Sequence, residues 1–182
     1  TVLFTDLAGF TPVEEKLDDE TLMDWLNEYM AAMTRTVMSW GGVVNKYMGD
    51  AVMALFGVPA PRHGEEEISR DARDAVRCAL AMRAEIERLN GEWAARGRPS
   101  MHMRIGIHTG PLMVGCIGSE DRLEYTVIGD TVNVAARLES FDKDFDSGGS
   151  CRILISETTR MRLDGRFLTE SAGRVHLKGK GR

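Results

Sequence analysis

The chain has 182 residues, of which 43% are hydrophobic and 28% charged, and its formal net charge is −5. That length suits one domain with a sizeable core, and that composition excludes disordered, collagen-like and low-complexity chains. The acidic balance argues against a nucleic-acid polymer or an anionic membrane as partner, and no apolar run approaches the roughly 20 residues of a membrane span.

Residues 2–6 are apolar and β-branched and read as a strand, ended by Gly9 and Thr11-Pro12. Thr11 is placed to cap a helix, with Pro12 at its first position and Glu14 and Glu15 in its first turn. A longer helix is expected over about 20–40, where Leu22, Leu26, Tyr29 (or Met30), Met33 and Val37 recur at helical spacing before Gly41-Gly42. Residues 43–48 and 51–56 read as a hairpin around Gly49-Asp50. The longest helical pattern covers about 66–95, with a stripe of Val76, Leu80, Met82 (or Arg83), Ile86 and Leu89. Met101, Met103, Ile105 and Ile107 then alternate with His102, Arg104, Gly106 and His108, which predicts a strand buried on one face. Strands over 111–117 and 123–128, a helix from a capping Asp130 to Ser140, and a strand over 152–155 complete the order. Helices packed on one mixed sheet, an α+β class, follow from it, with no linker to divide residues 1–182 into two domains.

Cys78, Cys116 and Cys151 lie far apart, are odd in number and lack ligand spacing, so neither a disulfide framework nor a zinc site is expected. A cytoplasmic setting suits them. Thr1 is not an initiator methionine, and both ends read as interrupted elements, so the chain is expected to be an excerpt whose sensor or anchor lies elsewhere.

Two aspartates stand out. Asp6 ends an apolar strand and leads into a helix N-terminus; Asp50 sits in the turn between two apolar strands. Carboxylates at strand ends beside free N–H groups can hold divalent cations while the N–H groups hold phosphate oxygens. Taken alone, Asp6 is more simply read as a helix cap and Asp50 as a turn former. The surrounding residues decide between these. Thr-Asp-Leu-Ala-Gly-Phe-Thr (5–11), Asn-Lys-Tyr-Met-Gly-Asp-Ala-Val-Met-Ala-Leu-Phe-Gly (45–57), Arg-Ile-Gly-Ile-His-Thr-Gly (104–110), Val-Gly-Cys-Ile-Gly-Ser (114–119), Tyr-Thr-Val-Ile-Gly-Asp-Thr-Val-Asn-Val-Ala-Ala-Arg-Leu-Glu-Ser (125–140) and Leu-Lys-Gly-Lys-Gly (177–181) together resemble the class III nucleotidyl cyclases, in family order across nearly the whole chain.

The resemblance implies a ferredoxin-like (βαββαβ-type) α+β core and the conversion of a nucleoside triphosphate to its 3′,5′-cyclic monophosphate and pyrophosphate. It assigns two divalent cations, Mg²⁺ or Mn²⁺, to Asp6, Leu7 and Asp50, and the β- and γ-phosphates to the backbone around Leu7, Ala8, Gly9, Phe10 and Thr11. It also assigns ribose orientation to Asn133, transition-state charge at the α-phosphate to Arg137, and a terminal-phosphate contact to Lys178. Asn133 and Arg137 are four residues apart and project from one helix face. Base choice falls to Lys46 and Thr126. A lysine has only donors, so it complements adenine N1 and conflicts with guanine N1–H, whereas a hydroxyl can donate or accept. ATP is therefore the expected substrate, in the threonine-bearing subgroup, with a guanylate or relaxed purine cyclase and a catalytically silent nucleotide-binding regulator as alternatives. In the family the metal aspartates come from one protomer and the base-selecting and transition-state residues from the other. A chain with both sets resembles a homodimer former with shared sites and no membrane contact of its own.

Overall fold

A computed structural model describes residues 1–14, 17–141 and 149–173. In chain order the elements are β1 (Val2–Ala8), α1 (Phe10–Glu14), α2 (Asp19–Ser39), β2 (Val43–Met48), β3 (Ala51–Leu55), α3 (Glu65–Ala95), β4 (His102–His108), β5 (Met113–Ser119), β6 (Arg122–Ile128), α4 (Asp130–Glu139), β7 (Cys151–Ile155) and α5 (Glu157–Arg160). Five strands form a sheet in the order β2-β3-β1-β4-β7, antiparallel except for the β4–β7 pair. Its first four strands, with α2 and α3 as crossovers, make the ferredoxin-like core. Strands β5 and β6 form a separate two-stranded ribbon, so the single expected sheet is in fact two.

The long helices form because their apolar residues line one face. Helix α2 is capped by Asp18, whose side chain accepts the Thr21 N–H at 3.0 Å, and it buries Trp25, Tyr29, Met33 and Val37 at every fourth position. Helix α3 buries Ala72, Val76, Ala79, Met82, Ile86, Leu89 and Trp93. Leu80, expected in that stripe, is 38% exposed, because the contact line advances through Ala79 and Met82 and leaves position 80 to one side. Both helices cover one face of the sheet, where Leu3, Leu7, Val52, Ala54, Met103, Ile105 and Ile107 meet them. Trp25 lies between Phe10 (centroids 6.1 Å, stacked) and Trp93 (4.9 Å), which ties α1 to both helices.

The opposite face carries Val2, Phe4, Met53 and Leu55, packed against Val127 of β6 and Ala135 of α4. Strand β4 is therefore buried on both faces, not one. Gly106 is the reason α4 can lie so close: a Cβ there would stand 2.2 Å from the Glu139 nitrogen and 2.3 Å from the Ala135 carbonyl oxygen. Two expected caps also move. The turn at Gly9 (φ +74°) lets α1 begin at Phe10, so Thr11 is its second residue, and Gly129 takes the capping position of α4, leaving Asp130 in the first turn. Among the described residues no helix is long and apolar enough to cross a membrane.

Candidate active site

Strand β1 outruns β3. Their ladder ends at Thr5↔Val52, and two residues later the Leu7 N–H donates to Asp50 Oδ2 at 3.0 Å. That bond draws the β2–β3 turn against the end of β1 and brings the Asp50 carboxylate beside Asp6. Asp50 titrates above the usual aspartate range, first because it is partly buried and second because the Asp6 charge faces it, while the Leu7 N–H acts in the opposite direction. The Leu7 amide, expected to face phosphate, is thus already engaged in holding Asp50. Beyond it, β1 ends at Ala8, Gly9 makes the turn, and Phe10 and Thr11 open α1.

Arg104 was not singled out as a site residue in the sequence, yet it organises this corner. It pairs in register with Asp6 across β1–β4 and is 7% exposed. One of its Nη nitrogens donates to Asp6, and its Nε lies 3.2 Å from Glu139 Oε1 in an ion pair at the end of α4. Its sequence signals are its place at the head of the 104–110 motif and a charge inside a largely apolar strand; its partners depend on strand register and on the approach of α4.

Two carboxylates meeting at a strand end, with the Asp6 charge opposing ionisation of Asp50, suit divalent cations. Among the described residues no cluster of three or more His, Cys, Asp or Glu side chains is gathered for a metal. A site with two carboxylates and the rest of its coordination from water and substrate phosphate is the usual pattern for Mg²⁺.

Helix α4 presents Asn133 exposed and Arg137 half-buried, on the side away from its buried Thr131, Val134, Ala135 and Leu138. Neither has a hydrogen-bond or ion-pair partner among the described residues. Lys46 on β2 and Thr126 on β6 belong to different sheets, and Lys46 donates to Glu124 of β6. Lys178 lies outside the described residues. A groove of about 640 Å³ between α2 and α3 lies on the other side of the sheet from Arg104 and α4, and its Glu28–Arg96 and Arg88–Glu92 pairs already satisfy those charges.

Across residues 1–182 the chain matches the adenylate and guanylate cyclase catalytic domain. The chain belongs to this family. The cyclase domain is 39% identical over 145 residues to adenylate cyclase 1 of Rhizobium meliloti (strain 1021), covering 80% of the chain and 21% of that relative. Among solved structures it resembles the adenylyl cyclase CyaB from P. aeruginosa (TM-score 0.89, 36% identity, covering 100% of this chain and 88% of that one). It also resembles the guanylyl cyclase Cya2 (TM-score 0.86, 34% identity, 98% and 85% covered). The expected class III cyclase fold is the fold observed.

Proposed function

We propose that this cyclase domain is an adenylate cyclase, converting ATP to 3′,5′-cyclic AMP and pyrophosphate at sites shared between two copies of the chain. The observation that carries the cyclase reading is the convergence of Asp6 and Asp50, held together by the Leu7 N–H. In the reaction the ribose 3′-oxygen bonds to the α-phosphorus, the bond to pyrophosphate breaks, and the hydroxyl proton is lost. Asp6 and Asp50, with the Leu7 backbone beside them, would hold two Mg²⁺ or Mn²⁺ ions, which supply charge neutralisation and favour the 3′-alkoxide. The backbone from Ala8 to Thr11 would cradle the terminal phosphates, together with Lys178. Asn133 would orient the ribose, and Arg137 would meet the charge developing on the α-phosphate, a fixed cationic donor typically worth several kcal/mol. Lys46 supports adenine over guanine, because an ammonium cannot accept from guanine N1–H.

Sharing of the site is supported by the absence of partners for Asn133 and Arg137 among the described residues and by the exposed apolar side chains of the ribbon. Met113 is 70% and Leu123 68% exposed. The test mixes two inactive variants. Asp50→Ala and Arg137→Ala chains are each expected to be silent and, once mixed, to regain up to about a quarter of wild-type activity through one intact site per heterodimer; no recovery overturns the shared site. A second reading, a cyclase relaxed between purines, is favoured by the Thr126 hydroxyl, which can serve either base. Comparing kcat/KM for ATP and GTP decides between them.

A further inference from the structure

Strand β2 contains one residue too many. It pairs with β3 as Val43↔Leu55 and Val44↔Ala54, but then as Lys46↔Met53, so Asn45 is left without a partner. Side chains alternate along a strand, and an extra residue reverses every face beyond it. Without the bulge, Lys46 would share the face of Val52 and Ala54 and turn toward α2 and α3. With it, Lys46 joins the face of Met53 and Leu55, which is the ribbon side, and Tyr47 turns to α2, where its hydroxyl lies 2.6 Å from Thr34 Oγ1.

The ribbon fastens this arrangement twice. The Asn45 side-chain amide donates to the Tyr125 carbonyl at 3.1 Å, and the Lys46 ammonium donates to Glu124. Glu124 and Thr126 share one face of β6, being two residues apart. Opposite Thr126 stands Gly115, where an added Cβ would meet nothing within 4 Å, so there is open space beside the hydroxyl. An ammonium has three N–H donors, and the bond to Glu124 leaves others for a ligand. A lysine on an exposed hairpin otherwise spreads over many rotamers.

We propose that Asn45 and Glu124 are positioning residues for base selection: the bulge at Asn45, pinned to β6, and the Glu124 carboxylate together hold the Lys46 ammonium beside Thr126, where it reads the purine edge. This rests on the adenine-reading role given to Lys46 above. Neither residue touches the reacting atoms; both act through Lys46.

The experiment measures kcat and KM for ATP and for GTP, with Mn²⁺, in the whole chain and in Lys46→Gln, Glu124→Gln, Glu124→Asp, Asn45→Ala and the double variant Lys46→Gln/Glu124→Gln. Glu124→Gln and Asn45→Ala are expected to raise KM for ATP about fivefold with kcat nearly kept, near the upper end of what one exposed ion pair supplies, and to lower the ATP-over-GTP ratio accordingly. Glu124→Asp restores most of the ratio. Once Lys46 is glutamine, removing the Glu124 charge changes nothing further. If Lys46→Gln shifts the ratio and Glu124→Gln does not, or Glu124→Gln weakens both nucleotides equally, the positioning role is overturned and the adenine reading survives. If Lys46→Gln leaves the ratio unchanged, the adenine reading falls, and the positioning role with it.

Discussion

Asp50 meets two unfavourable conditions at once, partial burial and the facing charge of Asp6, and both raise its affinity for a proton. A group that titrates higher folded than unfolded weakens the fold as pH rises through that range, and the penalty is relieved in acid. Asp50→Asn removes the charge and keeps an oxygen for the Leu7 N–H. It is expected to raise the Tm of the metal-free protein near neutral pH, while abolishing cyclisation. Calorimetry in a chelating buffer checks this, and an unchanged or lower Tm would mean that Arg104 already offsets the repulsion through its bond to Asp6. Asp6 and Asp50 were singled out in the sequence through the motifs around them, since either carboxylate alone reads as a helix cap or a turn former. Arg104 was not legible as their partner. Only the β1–β4 register sets it opposite Asp6, and only the approach of α4 brings Glu139 to it.

Among the elements, α4 depends most on a single position. A methyl group at Gly106 would collide with the backbone of α4 at Ala135 and Glu139, atoms that cannot rotate aside. Gly106→Ala is therefore expected to cost about 2–3 kcal/mol, measured by denaturant unfolding, and to lower kcat more than that loss of fold explains, since α4 carries Asn133 and Arg137. A neutral substitution would show that α4 shifts freely on the sheet. The existence and type of the longer elements were legible because a period of four in α2 and of two in β4 leaves little choice. Their faces were less so. The alternation in β4 predicts one wet side, yet α4 covers it, and Leu80 lies at a plausible helical spacing just off the contact line. The bulge at Asn45 has no signature in one sequence, because an inserted residue looks like any other strand residue until its partner strand is known. The four-residue α5 is too short to leave a periodicity of its own.

For the whole molecule, the exposed apolar side chains concentrate on the ribbon and on the neighbouring strand β2, where Val43, Tyr47 and Met48 add to Met113, Ile117, Leu123, Tyr125 and Ile128. A second copy of the chain is the occupant that the shared-site reading requires. Leu123→Glu places a charge on that surface without touching the core. It is expected to convert dimer to monomer in sedimentation velocity and to lower specific activity at least tenfold, with activity recovering as protein concentration rises. A fully active monomer would overturn the requirement for two chains. The two faces of the central sheet also differ in what they ask of evolution. The α2–α3 side is dry and aromatic, and a change there registers as stability. On the proposed function, the side bearing Arg104 and α4 carries the charged chemistry, and a change there is expected to register as rate or specificity. Since strand alternation deals neighbouring residues to opposite faces, adjacent positions such as Met103 and Arg104 answer to different selective pressures, and a lineage can repack one side of the domain while leaving the reaction on the other untouched.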